Sequence, residues 1–543
     1  MTAAGLLLAA SVLVPLGLSA GCLVRGVRER ARLLLPFAPL PALLAAIMVP
    51  DGTFVFFPAP FRMSLVLDRP GAFLLGGAAL LWSAAGAYAV SYMGRTPAAT
   101  RFAIWWLLTL AGSLGVFVVG DIASFYLVYT LVSLAAYGLI VHEQTAKAER
   151  AGLVYVVLAL LSEACLLLAF VMLAAGHAEA NPLIRDVVAT LSRSPMRDAI
   201  VALLVLGFGL KMGLVPLHVW LPLAHPAAPM PASAVLSGVV VKAGVIGLIR
   251  FLPYESGLPE WGMALVAAGL FTAFYGVAIG VTQTGPKTIL AYSTVSQMGL
   301  VAALIGAGLA RADASATTLI AYYAVHHMLV KGALFLAVGT LAATSRRRRL
   351  AILLLTAVLA LSLAGLPLSS GGLAKIATKP MLGDGVLSYA TALAAAGSTL
   401  LMLHFLNTVS RDAHGEPERL PSLALVLPFG VVAAASFVFA WSLYPAVTDG
   451  SFQPLFQAKA LSKLLWPMGL GLLAMLVVGR LPKLRGAVPE GDIVVLTEAG
   501  GPALSGFVSD ILQFDAVLRR WSFAGSSLLL IAVLLAAALM LGS

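Results

Sequence analysis

Charge and cysteine are what this chain has least of. Of its 543 residues, 10% are charged and 61% hydrophobic, and the mean hydropathy is +1.00. No water-soluble core and surface share such values, so the solvent of most of the chain is lipid. The 2 cysteines, Cys22 and Cys165, sit inside apolar runs, which excludes a cysteine-held zinc or iron–sulfur centre. A Gly-x-Ser-x-Gly elbow, a phosphate-binding loop and a zinc signature are also missing, and no loop is long enough to carry a catalytic domain. The chain is therefore expected to hold no cofactor, no metal and no active site of its own. Acids are scarce beside bases, 23 against 34, giving a net charge of +11. In a soluble protein that excess would suggest nucleic acid. Here it falls mostly in short loops between apolar segments, where it sets topology.

What the chain does have is one apolar run after another. A helix needs roughly 20 apolar residues to cross the hydrocarbon core, which predicts an all-α polytopic membrane protein of about 16 helices. They fall near 4–24, 33–50, 71–93, 101–119, 122–141, 150–175, 199–221, 231–252, 260–281, 286–307, 316–344, 351–378, 387–408, 422–444, 462–480 and 522–541. The stretch LSAGC, Leu18 to Cys22, faintly resembles a lipoprotein signal. No basic residue precedes it and arginines come after it, so the first segment is expected to stay as a span.

One side of this topology collects Arg25, Arg28, Arg30, Arg32, Arg95, Arg101, Lys147, Arg150, Lys287, Arg346 to Arg349, Arg411, Arg419, Arg480, Lys483, Arg485, Arg519 and Arg520. The other side has about half as many, so the rich side is predicted to be cytoplasmic and both termini to lie outside a bacterial-type inner membrane. Residues 481–521 contain Pro482, Pro489 and Pro502, which break any continuous helix. Within them Leu504, Phe507, Val508, Ile511, Leu512, Val517, Leu518 and Trp521 recur at helical spacing, as a short amphipathic surface segment requires.

Two spans are not expected to be continuous helices. Pro216 and Pro222 interrupt the one holding Lys211, and GLPLSSGG, Gly365 to Gly372, interrupts the one holding Lys375. Each break removes backbone hydrogen bonds that lipid cannot replace, so it must face protein or water. Broken helices at matching places in two halves mark transport sites. The halves would be 101–252 and 260–408, flanked by 1–100 and 422–543. With five helices each, they would be inverted repeats.

Lys211, Lys242, Lys331 and Lys375 lie inside predicted spans, as do His326, His327 and Glu163. A charge at the bilayer centre costs at least about 2.5 to 3.5 kcal/mol, so retaining this many requires a use. Snorkelling to the interface is the competing account for Lys375, and a satisfied core histidine for His326. Removing a lysine from water brings its pKa from about 10.4 toward neutrality, and moving a carboxylate nearer or farther then loads or unloads it. A row of such residues can hand protons sideways through a membrane. Asp121 reads as a helix N-cap, and Asp68 with Arg69 as an interfacial pair.

These residues carry a resemblance. The stretch LKMGLVPLHVWLPLAHPAAPMPASAVLSGVVVKAGVIGLIRF, Leu210 to Phe251, resembles the core motif of the antiporter-like subunits of respiratory complex I, Mrp cation/proton antiporters and membrane-bound hydrogenases. LVLDRPGAFLL, KTILAYSTVSQMGL, HHMLVKGALFLAVGTL and GLPLSSGGLAK agree in order, covering about residues 60 to 410. The resemblance implies a proton channel of two inverted five-helix repeats joined by a polar axis. By motif position, that axis is Lys211 in the first broken helix, Lys242 bridging, His327 with Lys331 in the central helix, and Lys375 ending the second broken helix.

Two departures stand out. The family's fifth-span glutamate, in a Trp-Glu pair, aligns with Tyr129 and Thr130 here, and its WLPDAH becomes WLPLAH with Leu223 for the acid. Glu163, the only carboxylate well inside a span of the first half, is expected to take over as the counter-charge of Lys211. The resemblance implies a proton-translocating subunit of a redox-driven assembly, such as a quinone-linked NADH dehydrogenase or membrane hydrogenase, with other membrane subunits as partners. The alternatives are a gradient-driven Mrp-type antiporter subunit moving protons or small cations, or the membrane partner of an inorganic-carbon uptake system.

Overall fold

The computed structural model describes residues 2–499, apart from 58–62, 95–96, 178, 180, 345, 413–422, 449 and 482–483. The chain divides into two units, 1–490 and 491–543. In the second, the described part is one helix, Asp492–Ala499. The expected segment from Leu504 and the last span, 522–541, lie outside the described residues.

The first unit is helical. It runs α1 (Ala3–Gly21), α2 (Arg25–Leu34), α3 (Leu40–Met48), a hairpin of β1 (Gly52–Phe57) and β2 (Met63–Leu67), α4 (Arg69–Tyr92), α5 (Pro97–Val118), α6 (Ile122–Ile140) and α7 (Ala146–Ala174). After these come α8 (Ile184–Leu191), α9 (Arg197–Met212), α10 (Trp220–Ala227), α11 (Met230–Val235), a π-helical turn (Leu236–Val240), α12 (Lys242–Phe251), α13 (Pro259–Gly280), α14 (Pro286–Ala310) and α15 (Ala316–Ala342). The unit ends with α16 (Arg346–Ala364), α17 (Ser370–Leu382), α18 (Val386–Asp412), α19 (Leu423–Val447) and α20 (Ala458–Val478).

Among the described residues 12 helices are long and apolar enough to cross a membrane, which makes this a multi-pass membrane protein. The spans expected at 199–221 and 351–378 are broken, as α9 with α10 and α16 with α17. The span expected at 33–50 is not one helix. Pro36 and Pro39 interrupt it, leaving α3 with 9 residues, too few to span.

Helix starts reflect local chemistry. Asp68 accepts from Gly71 N, Asp121 from Ser124 N at 2.8 Å and Thr145 from Ala148 N, each capping the helix that it precedes. Asp121 also accepts from Ser64 N at 2.7 Å and from Asn181 at 2.7 Å, tying the hairpin and the loop before α8 to α6. Asp68 does not pair with Arg69. Its partner is Arg250 of α12, 3.2 Å away, because Asp68 turns back over its own helix start while Arg250 reaches across from the packed interior.

At the centre, the span 230–251 with α14 and α15 is wholly enclosed by other helices. α13 packs against α14 at backbone distance, where a Cβ on Gly269 would lie 2.5 Å from Gly299 O. Small residues allow that approach, which suits helices that gain little from hydrophobic exclusion in lipid. The enclosed helices carry most of the intramembrane lysines and histidines, so these face protein and not hydrocarbon.

Candidate functional site

α9 ends where its sequence stops supporting a helix. Gly213 takes a left-handed conformation, φ +79°, and Pro216 comes soon after it, so the chain leaves the helix one residue after Met212. Carbonyls freed by the break find partners inside the protein: Trp220 Nε1 donates to Leu210 O at 3.0 Å. Lys211, on the last turn, is 2% exposed. Its Nζ donates to Ser133 Oγ at 2.7 Å and to the Tyr155 hydroxyl at 3.4 Å, and lies 5.3 Å from the Tyr129 ring centroid. Aromatic faces and hydroxyls are the groups able to hold an ammonium without water.

Glu163 of α7 meets α6 directly. Thr130 Oγ1 donates to Glu163 Oε2 at 2.6 Å, while Oε1 is buried without a hydrogen-bond partner among the described residues. The carboxylate thus sits beside the side chain of the position where an acid is missing. It acts on Lys211 through its charge, yet no direct ion pair joins the two among the described residues. Next to it, Ser162 donates to Gly207 O at 2.8 Å and fixes α7 against α9.

The central group begins at the π-helical turn. A π turn adds a residue to one loop of the helix and re-aims the side chains beyond it. Lys242 starts α12, one residue beyond the turn, and donates back to Ser237 O at 3.2 Å, with His327 Nδ1 of α15 only 2.5 Å away. Lys331, one turn along α15 from His327, donates to Leu290 O of α14 at 2.9 Å. All three are fully buried.

At the second break α16 ends at Ala364, and Gly365 beyond it has φ +109°. Ser369 caps α17, accepting from Gly372 N. Lys375 reaches back to donate to Ala364 O, covering an open end of α16. A Cβ on Gly365 would lie 2.7 Å from Lys375 Nζ. Lys375 also lines a cavity of about 680 Å³ with Lys379, Asp384, Ser388, Lys459 and Lys463.

Of the expected residues, Glu163 gathers with Lys211 beside one face of α6, and Lys242 touches His327. The structure gives no direct contact from Lys211 to Lys242 or from Lys331 to Lys375. Other groups fill the places between, among them His326, for which a satisfied core histidine was the competing account, and several that sequence reasoning passed over. His326 Nδ1 lies 2.9 Å from Ser370 Oγ, itself 2.9 Å from Ser362 Oγ, linking α15 to the second break. His225, inside the WLPLAH stretch, is fully buried with both ring nitrogens lacking a hydrogen-bond partner among the described residues. The charges acting on it are those of Lys287, Lys331 and Lys242. Lys287, a loop lysine by its place in the sequence, turns inward to donate to Pro226 O at 3.1 Å and Ala228 O at 2.6 Å. A histidine in a motif already noticed was a usable signal; Ser133, Ser362 and Ser370 gave none.

A family described as NADH:quinone oxidoreductase/Mrp antiporter, transmembrane, matches residues 119–403. Hydrogenase-4 component B of Escherichia coli is 32% identical over 304 residues, 52% of this chain and 44% of its own length. A Na(+)/H(+) antiporter subunit of Alkalihalophilus pseudofirmus is 28% identical over 368 residues, 64% of this chain and 72% of its own. The chain spans about half the length of an uncharacterized Mycobacterium tuberculosis protein that is 35% identical over 333 residues. In fold it is similar to a chain of the Mrp complex from a Dietzia species, with TM-score 0.74, 21% identity, and coverage of 100% of this chain and 63% of that one. A chain of an archaeal membrane-bound sulfane sulfur reductase gives TM-score 0.69 at 18% identity, covering 88% and 99%. Because the family match takes in more than half of the chain, including both broken helices and the lysines between them, the chain belongs to the NADH:quinone oxidoreductase/Mrp antiporter transmembrane family.

Proposed function

We propose that the chain translocates protons along Glu163, Lys211, Lys242, His327, Lys331 and Lys375, as one membrane subunit of a redox-driven, complex I-like assembly. The observation that carries this reading is the enclosed contact of Lys242 with His327, two bases 2.5 Å apart. Two such groups can share or exchange one proton but cannot both be charged without a large repulsion. The rest of the axis is of the same kind, lysine and histidine with a single carboxylate at one end. Nitrogen bases take up protons, whereas a dehydrated sodium or potassium ion needs a cage of oxygens.

In this reading the repeats are 101–252 and 260–408, with one broken helix in each, and both termini lie outside the inner membrane. Lys211 is the switch of the first half. A charge arriving next to Glu163 weakens the hold of the carboxylate on Lys211, and its proton moves inward toward Lys242 and His327. Similarity to the hydrogenase-4 component supports a redox partner. Similarity to the Mrp chains supports a second reading, a gradient-driven transporter: a cation/proton antiporter subunit, or the membrane partner of an inorganic-carbon uptake system.

The test uses vesicles of a strain carrying the chain with its own partners. Lys211→Ala should assemble and lose proton uptake, and pull-down should recover flavin or iron–sulfur subunits. Proton uptake unchanged in Lys211→Ala overturns the proton reading. Recovery of small antiporter subunits alone, with sodium- or potassium-dependent flux, selects the second reading.

A further inference from the structure

The acid and the base of the first half are not paired directly, and what lies between them is one helix face. Thr130 and Ser133 are three residues apart on α6, so they neighbour each other on that face. Thr130 holds the carboxylate of Glu163 and Ser133 holds the ammonium of Lys211. Ser133 is fully buried. Its hydroxyl donates to Tyr129 O at 2.8 Å, one turn back, while its oxygen accepts from Lys211.

A helix serine bonded to the carbonyl four residues back is common and often only structural. Three features set this one apart. Its free lone pair is taken by a buried ammonium. Its carbonyl is pinned by the Tyr155 hydroxyl at 2.8 Å, and that hydroxyl also touches Lys211. Finally, Glu163 Oε1 is left buried without a partner among the described residues, an acceptor waiting for a donor inside a site that has no reason to strand one. The titratable groups around the hydroxyl are Lys211 from α9, Glu163 and Tyr155 from α7, and Tyr129 on its own helix.

We infer that Ser133 is the proton relay between Lys211 and Glu163. This rests on the proton reading above. In the relay step Lys211 passes one N–H proton to Ser133 Oγ while the hydroxyl proton, turned from Tyr129 O, passes to Glu163 Oε1. One N–H bond and one O–H bond break, two O–H bonds form, and the hydroxyl is regenerated. The products are a neutral amine and a neutral carboxylic acid, and the reverse transfer resets the pair. A hydroxyl suits this because it donates and accepts at once.

The experiment measures proton flux in vesicles holding the assembled complex. Ser133→Ala should slow flux on the order of 10²-fold, the usual cost of losing a positioned proton-transfer group. Ser133→Thr keeps the hydroxyl and should retain most of the flux. If Ser133→Ala fails to assemble, Ser133→Cys, a weak donor, replaces it with the same expectation. The readout that separates a relay from a packing role is a double-mutant cycle. With the relay gone, adding Glu163→Gln should cost little more, so the losses are far from additive. Wild-type flux in Ser133→Ala, equal loss in Ser133→Thr, or additive losses would each overturn the relay while Lys211→Ala still abolished flux. Flux indifferent to Lys211→Ala would overturn the proton reading and the relay with it.

Discussion

The sharpest test of the site is to move its acid. Thr130 Oγ1 lies 2.6 Å from Glu163 Oε2, so a carboxylate carried on α6 at position 130 would occupy nearly the same space as the one carried on α7. One hydroxyl standing between two charged groups sets them about 5 Å apart. At that separation and an effective dielectric near 20, the attraction is about 3 kcal/mol. Removing it by Glu163→Gln changes the weight of the charged Lys211 by about a hundredfold. Flux should fall by a similar factor, because the lysine then rests in one protonation state. Adding Thr130→Glu to that variant returns the charge to the same neighbourhood and should recover flux to within about tenfold of wild type. Thr130→Glu alone sets two carboxylates side by side, which must share a proton, and should be slower than wild type. The assay is dye-reported proton uptake in vesicles, normalised to assembled complex. Normal flux in Glu163→Gln, or no recovery in the double variant at equal assembly, would refute the reasoning.

Three further outcomes rest on particular contacts. Gly365→Ala should cost most of the flux and also lower the unfolding temperature, since its Cβ would displace Lys375 from the end of α16 and its φ of +109° is one that L side chains rarely adopt; thermal unfolding and flux measured together check this. Arg250 is 7% exposed at its side chain and donates to Val119 O at 2.8 Å and Phe117 O at 2.6 Å besides its pair with Asp68. Arg250→Leu strands those carbonyls and should destabilise by about 3 kcal/mol, seen as a lower unfolding temperature in detergent. The pair of Lys147 with Glu490, 2.6 Å apart, is partly open to solvent, so Glu490→Gln should shift stability by less than about 1 kcal/mol.

The membrane architecture was plain from the residues because lipid imposes a length and a polarity that no other solvent does. Both helix breaks were legible for the same reason: the prolines Pro216 and Pro222, and the GLPLSSGG stretch from Gly365 to Gly372, take away backbone hydrogen bonds that lipid cannot replace. Position 33–50 misled because its apolar content passes a hydropathy threshold while Pro36 and Pro39 divide it. The π turn before Lys242 was invisible, since no residue type specifies it. The hydroxyls were invisible for a different reason. A serine inside an apolar run costs little and occurs for many reasons, so nothing in the spacing singled out Ser133 or Ser370. Lys287 was misplaced because position along the chain shows where a helix starts, not which way a long side chain folds.

A displaced acid in the first half also explains why a hydroxyl matters there. Thr130 holds the carboxylate of α7 and Ser133 holds the ammonium of α9, both from one face of α6, so the pair does not close to direct contact while the two hydroxyls keep these partners. At about 3 Å the same two charges would attract by roughly 5 to 6 kcal/mol at an effective dielectric near 20, against about 3 kcal/mol across one hydroxyl. The looser pair holds its proton state less firmly, so a smaller electrical disturbance can switch it. It also needs a carrier, because proton transfer over two hydrogen-bond lengths without one is slow. Ser133 meets that need only while its hydroxyl is free to leave Tyr129 O, which predicts that the α6 backbone at Tyr129 and the side chain at Ser133 act as one unit. On the proposed relay, the acid on α7 and the buried serine are two halves of one arrangement. A chain with the acid on α6 in direct contact with its lysine would have no use for the hydroxyl at position 133.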